Sequence, residues 1–123
     1  MKTIPCFLFV LAILPLKLFS QRFVTDAQSS TFKTVTFKVY GKCGTCKTAI
    51  ESSLKKKDGV QDRNWDQESK MIIVTYDSTL ISLEKIQQKI ANAGHDTDNL
   101  KASDEAYNRL APCCRYRDIR HQE

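Results

Sequence analysis

Two cysteines separated by two residues are the part of this sequence best suited to chemistry. Cys43 and Cys46 flank Gly44 and Thr45. Thiolates are soft ligands that favour copper(I), zinc(II) or mercury(II) over calcium or magnesium. A structural zinc site usually has four ligands, whereas copper(I) and mercury(II) accept two. The spacing therefore predicts a soft-metal site in which copper(I) is favoured and zinc(II) or mercury(II) stays open.

Three further residues are candidate ligands. His95 follows Gly94, and a neutral imidazole suits copper or zinc. Cys113 and Cys114 are adjacent near the end of the chain. They could add ligands to the Cys43 and Cys46 site, bind a second ion, form a disulfide with another cysteine, or remain free thiols.

The same cysteine spacing is compatible with two other functions. It occurs in thiol–disulfide redox proteins, where a lowered thiol pKa drives exchange, and an exported protein can use it for a structural disulfide in an interaction domain. A thioredoxin-like fold, however, needs more chain after the motif and a different strand order. No glycine-rich phosphate loop, serine–histidine–acid set or paired-carboxylate group is visible, so we do not predict an enzyme.

The elements around the motif would place both thiols at one junction. Residues 34–40 alternate apolar and polar side chains, a pattern typical of a β-strand. From Cys46 onward the period becomes helical. Cys43 should therefore lie in a loop and Cys46 in the first turn of a helix, where unpaired N–H groups and the helix dipole favour thiolates.

The rest of the chain completes an α+β pattern. Strands are predicted at 60–65 and 70–76, a helix capped by Ser82 follows, and a short fourth edge strand is predicted at 95–100. The order β-α-β-β-α-β is that of the ferredoxin-like fold. It predicts a four-stranded antiparallel sheet with two helices on one face.

The segment 34–101 resembles a heavy-metal-associated domain. The matching features are the Cys43–Cys46 motif after the first strand, Asp58-Gly59-Val60 between helix and strand, the strand from Met71 to Tyr76, and Ala93-Gly94-His95 after the second helix. The resemblance implies a ferredoxin-like fold, metal binding at Cys43 and Cys46, and no catalysis. It also implies that His95 lies near the metal loop.

The sequence departs from that family just before the motif. The family usually has methionine two positions before the first cysteine and threonine or histidine immediately before it, whereas this chain has Gly41 and Lys42. The family's methionine packs beneath the loop. Its absence leaves the choice of metal open.

The start of the chain predicts export. Residues 1–20 combine a basic beginning with a short apolar stretch, which is typical of a signal peptide rather than a membrane span. We expect a flexible segment at 21–33 and a C-terminal extension at 102–123 that carries the vicinal cysteines. Removing Lys2 and Lys17 with the signal peptide lowers the formal net charge from +5 to +3, because 17 basic residues then face 14 acidic ones.

These features limit the expected location and partners. A mild, interleaved charge does not predict nucleic-acid binding, and no stable membrane insertion is expected after signal cleavage. We expect a protein of the periplasm or cell envelope of a bacterium. Its partners would be the metal ion and a metal-transporting membrane protein or efflux component.

Overall fold

The structure, a computed structural model, describes residues 30–118; the predicted signal peptide lies outside the described residues. Three strands form one antiparallel sheet in the order β1-β3-β2. The strands are β1 (Phe32–Lys38), β2 (Val60–Trp65) and β3 (Met71–Asp77), and the helices are α1 (Gly44–Ser52), α2 (Leu83–Asn92) and α3 (Asp104–Asn108). Short 3-10 turns lie at Lys56–Asp58 and Pro112–Cys114.

Strand β3 is the centre of the sheet. Val74 pairs with Val35 of β1 on one side and with Arg63 of β2 on the other. Ile72 and Val74 point into the core and are fully buried, whereas the intervening Ile73 is exposed. This alternation is what the two-residue period of a strand requires when one face of the sheet is covered.

The predicted fourth strand at 95–100 is not a regular strand, and this part of the prediction was wrong. Within the described residues it contributes a single bridge, between Thr97 and Val39. The Thr97 N–H donates to the Leu100 carbonyl at 2.7 Å, and the Thr97 hydroxyl accepts from the Leu100 N–H at 3.0 Å. The chain turns back on itself because these local bonds take the place of a ladder.

Helix α2 begins directly after Ser82, as the sequence predicted, and α1 is short. The Ser82 hydroxyl accepts from the Lys85 N–H and caps α2. Helix α1 ends at Ser52, so the lysine run at 55–57 lies outside it and is exposed. Gly59 then takes a left-handed conformation with φ of 105°, which a residue with a side chain adopts at a cost.

The buried face of the sheet packs against α1 and α2 to form one core. Its largest fully buried side chains include Trp65, Ile50, Leu54, Ile86 and His95. Tyr107 and Leu110 of the C-terminal segment also belong to this core. None of the helices between residues 30 and 118 is both long and apolar enough to cross a membrane.

Candidate metal site

The cysteine pair lies at the junction between β1 and α1, as predicted. Cys43 is the residue immediately before α1 and is half-buried, whereas Cys46 in the first turn is fully buried. The two Sγ atoms are 3.7 Å apart. The Lys42 N–H donates to the Cys46 sulfur at 3.3 Å, so a backbone group of the loop also hydrogen-bonds to the buried cysteine.

The helix start makes Cys43 acidic. The pKa of this thiol is lowered to about 6, chiefly by the backbone N–H of Cys46, with smaller contributions from the Cys46 side chain and the Thr45 N–H. Burial opposes this effect but does not cancel it. Because backbone N–H groups at a helix start have no partner within the helix, they stabilise negative charge there. Cys43 is therefore mainly a thiolate at neutral pH.

The buried ring of Trp65 forms the floor of the loop. A Cβ atom on Gly41 would lie 3.1 Å from two atoms of the Trp65 ring and 3.0 Å from the Cys46 Cβ. The indole is fully buried, and its Nε1 donates to the Val39 carbonyl at 3.0 Å. The Trp65 ring therefore leaves little room for a side chain at position 41 beside Cys46.

Lys47, directly after the motif, braces α1 against β2. Its Nζ lies 2.6 Å from a carboxylate oxygen of Glu51, 2.7 Å from the Asn64 side-chain oxygen and 2.7 Å from the Trp65 carbonyl. The Glu51 carboxylate in turn accepts from the Trp65 N–H at 2.9 Å. This network fixes the helix that carries Cys46 to the strand that carries the indole.

The C-terminal cysteines approach the same loop. Cys114 is buried, and its Sγ lies 4.0 Å from that of Cys43. Cys113 is exposed; its Sγ lies 4.0 Å from that of Cys114, and its carbonyl is 3.7 Å from the Cys43 sulfur. The sulfur atoms of Cys43, Cys113 and Cys114 all lie within 4.8 Å of one another. All four described cysteines are free thiols.

The pKa of the Cys114 thiol is shifted in the opposite direction from that of Cys43. Burial raises the pKa of the Cys114 thiol well above its ordinary value, and contact with Cys46 raises it further. The cluster therefore combines one thiolate, on Cys43, with a protonated neighbour. Any ion that binds both sulfurs must displace the Cys114 proton.

An aromatic and ionic anchor holds the C-terminal segment in place. The Tyr116 hydroxyl donates to the Gly94 carbonyl at 3.0 Å and accepts from the Asp96 N–H at 2.8 Å. Arg117 binds both carboxylate oxygens of Asp96, at 2.6 and 3.2 Å, and lies 4.4 Å from the centre of the Tyr107 ring. Burial opposes the charge on Asp96, but Arg117 outweighs it, so the pKa of that carboxyl is lowered.

His95 is buried between the loop and this anchor. Its Nδ1 lies 2.7 Å from the Tyr40 carbonyl, so Nδ1 carries the proton, and the ring stacks on Tyr116 at 5.7 Å between centroids. Nε2 is buried without a hydrogen-bond partner among the described residues. Burial lowers the pKa of His95. The close group of potential ligands found in residues 30–118 contains three cysteines and does not include His95.

Two parts of this arrangement escaped sequence reasoning. No motif marks Trp65 as the floor of the site. The anchor formed by Tyr107, Tyr116 and Arg117 lies in the segment that was predicted only to be a C-terminal extension. Its signal in the sequence is the pair of tyrosines that brackets Cys113-Cys114.

Comparison with known proteins finds relatives of the segment that carries the cysteine motif. The heavy-metal-associated domain family matches residues 36–96. The copper chaperone CopZ of Staphylococcus aureus is 33% identical over 54 residues, which cover 44% of this chain and 79% of that protein.

Two solved structures resemble the fold. A putative copper-ion-binding protein from Bacillus anthracis is 33% identical with a TM-score of 0.52, covering 56% of this chain and 99% of that chain. Oxidised MerP from Ralstonia metallidurans is 28% identical with a TM-score of 0.51, covering 55% of this chain and 94% of that chain. Cys113 and Cys114 lie outside the matched family segment, which ends at residue 96.

Proposed function

Because the chain belongs to the heavy-metal-associated domain family, we propose that it binds copper(I) at Cys43 and Cys46 and passes the ion to a partner protein. The observation that carries this proposal is the pairing of a thiolate and a buried thiol 3.7 Å apart at a helix start. Thiolates select soft cations. Zinc(II) and mercury(II) are the competing ions.

The residues around the pair fit such an ion. Cys43 is already deprotonated near neutral pH, so little proton release opposes its first bond to a metal. The loop is supported from below by Trp65 and from the side by Lys47. Exposed Gly44 and Thr45 leave the outer side of the loop open, which gives the thiols of a partner access to the ion.

We also propose that the role is carriage rather than catalysis, and that the protein is exported to the bacterial periplasm or envelope. The relative in Staphylococcus aureus is named a copper chaperone. The export proposal depends on the basic and apolar start of the sequence. A metal-transporting membrane protein or an efflux component is the partner class that suits a small carrier with an open site.

Anaerobic titration of the reduced protein tests the metal proposal. Copper(I) affinity is measured against a chromophoric competing chelator, and zinc(II) and mercury(II) are titrated in parallel. We expect Cys43→Ser and Cys46→Ser to abolish tight copper(I) binding. Thr45→Ser is the matched control, because it changes the same loop without removing a thiol and should bind as the unaltered protein does.

The outcome that contradicts the proposal is unchanged affinity for all three ions in Cys43→Ser. Reduction of insulin that depends on Cys43, without tight metal binding, would instead assign a thiol–disulfide redox function. Export is tested separately by fractionating the cells and determining the N-terminus by mass spectrometry. A mature chain that begins near Gln21 in the envelope fraction supports export, whereas an intact chain in the cytoplasm contradicts it.

A further inference from the structure

The C-terminal segment brings a buried sulfur to the loop from far along the chain. Cys114 is 2% exposed, and its Sγ lies 4.0 Å from that of Cys43, which is 71 positions earlier. The Cys43 Sγ also lies 3.7 Å from that of Cys46. Cys114 therefore reaches the motif at Cys43, although it lies outside the segment that matches the family.

The spacing of the sulfur atoms suits three ligands better than two. With metal–sulfur bonds of about 2.3 Å, two thiolates on opposite sides of an ion lie about 4.6 Å apart, whereas three thiolates in one plane lie about 4.0 Å apart. The observed separations from Cys43 are 3.7 Å to Cys46 and 4.0 Å to Cys114. Both values fall near the three-ligand spacing.

We propose that Cys114 is the third thiolate ligand of the ion bound at Cys43 and Cys46. This inference rests on the proposed function, because it concerns the same ion. No electron transfer is involved: the Cys114 thiol loses its proton to solvent, and a sulfur lone pair forms the bond to the metal. The Cys113 sulfur also lies within 4.8 Å of those of Cys43 and Cys114, but we assign Cys114 because it is buried against the loop, whereas the Cys113 side chain is exposed.

The anchor holds Cys114 beside the loop before a metal ion binds. Tyr116 and Arg117 fix the chain two and three residues beyond it to Gly94 and Asp96. The Cys114 N–H donates to the Ala111 carbonyl at 2.8 Å and closes the turn before it. Because the segment is already ordered, the ion does not have to order it on binding, and such preorganisation raises affinity.

The adjacent cysteine supplies a matched control. Cys114→Ser and Cys113→Ser each remove one thiol from the same turn, but only the first removes the proposed ligand. Cys114→Ala serves as a second variant because a serine hydroxyl at a buried position can itself destabilise the fold. Circular dichroism and thermal unfolding establish that each reduced variant is folded before metal is added.

Copper(I) is loaded anaerobically at one equivalent into the full chain, and X-ray absorption measures the number of sulfur ligands. We expect about three sulfurs in the unaltered protein and in Cys113→Ser, and two in Cys114→Ser and Cys114→Ala. Copper(I) affinity should fall at least about tenfold in the Cys114 variants, the lower end of the loss expected when a supporting group at a metal site is removed.

Each alternative outcome has a distinct meaning. Two sulfurs in the unaltered protein, with Cys114→Ser binding equally well, would overturn the third-ligand inference and leave the proposed function intact. Loss of the third sulfur in Cys113→Ser but not in Cys114→Ser would also overturn it. Absence of tight copper(I) binding by the unaltered protein would instead refute the proposed function.

Discussion

Gly41 and Trp65 should be energetically coupled, because the indole occupies the space that a side chain at position 41 would need. In Gly41→Ala the new methyl group would lie 3.0 Å from the Cys46 Cβ and 3.1 Å from the Trp65 ring. Neither neighbour is the free end of a flexible chain, and both residues are fully buried. Overpacking of this kind costs about 1–3 kcal/mol, so we expect Gly41→Ala to lower the free energy of unfolding by that amount.

Removing the clashing atoms should relieve part of this loss. Trp65→Phe deletes the outer edge of the indole and leaves the buried Val39 carbonyl without its donor, which costs about 1–3 kcal/mol. The double variant should be more stable than the sum of the single losses predicts. Coupling between residues in contact amounts to about 0.5–3 kcal/mol.

Urea unfolding of the reduced, metal-free protein measures these values. Far-UV circular dichroism is the appropriate probe, because Trp65 is the only tryptophan in the chain. Gly44→Ala is the matched control: nothing lies within 4 Å of a Cβ at Gly44, so the substitution should be neutral or slightly stabilising. A neutral Gly41→Ala, or strict additivity of the two changes, would refute the packing argument.

Three further predictions concern thiols and the anchor. Alkylation of Cys43 should be half-maximal near pH 6 and fall as the pH drops below that value, whereas Cys114 should remain unlabelled. Peptide mass spectrometry measures the labelling of both cysteines, and labelling of Cys43 that rises only near pH 9 would contradict its lowered pKa. Burial lowers the pKa of His95. The neutral, buried imidazole therefore stabilises the fold above the unfolded-state pKa of about 6.5, and this stabilisation is lost as the pH falls through the lower pKa of the folded state. In a Cys43→Ser background, His95→Gln should weaken the pH dependence of the free energy of unfolding measured in urea. Arg117→Met should remove about 1.5–3 kcal/mol by breaking the hydrogen bonds to Asp96, and faster alkylation of Cys114 should accompany that loss.

Local sequence patterns were sufficient for the elements that carry the motif. The two-residue period of the chain after residue 33 predicted β1, although the strand begins at Phe32. The Ser82 cap and the left-handed Gly94 marked both ends of α2. These features depend on neighbours in the sequence, so one chain contains the information needed to infer them.

The prediction of a fourth strand was wrong because the backbone of this segment forms local hydrogen bonds instead. A threonine hydroxyl can bond to nearby backbone groups as well as a neighbouring strand can, and Thr97 does so with Asn99 and Leu100. Alternation of side chains cannot distinguish the two outcomes. The edge beyond β1 is completed by the Asp98 side chain, which accepts from the Lys38 N–H at 3.0 Å, and by two backbone hydrogen bonds, from the Tyr40 N–H to the Asp96 carbonyl and from the Asp98 N–H to the Lys38 carbonyl.

The C-terminal half of the site could not be inferred from spacing at all. Cys43 and Cys114 lie close together because the segment after Asn108 folds back to the loop. That arrangement depends on the ion pair between Arg117 and Asp96, which are 21 positions apart. A partly buried ion pair with two hydrogen bonds and an aromatic neighbour is specific enough to fix such a return. The sequence contains those residues, but their pairing exists only in three dimensions.

This long-range pairing also bears on how a bound ion could leave. The loop residues Gly44 and Thr45 are exposed, and Cys113 is exposed beside them, whereas Cys46 and Cys114 are buried. A partner thiol would therefore first reach the ion from the side of Cys43. This cysteine is half-exposed, and its thiol pKa is lowered. Because Cys43 is half-exposed and Cys46 and Cys114 are buried, exchange of ligands would begin at Cys43 and end at the two buried cysteines.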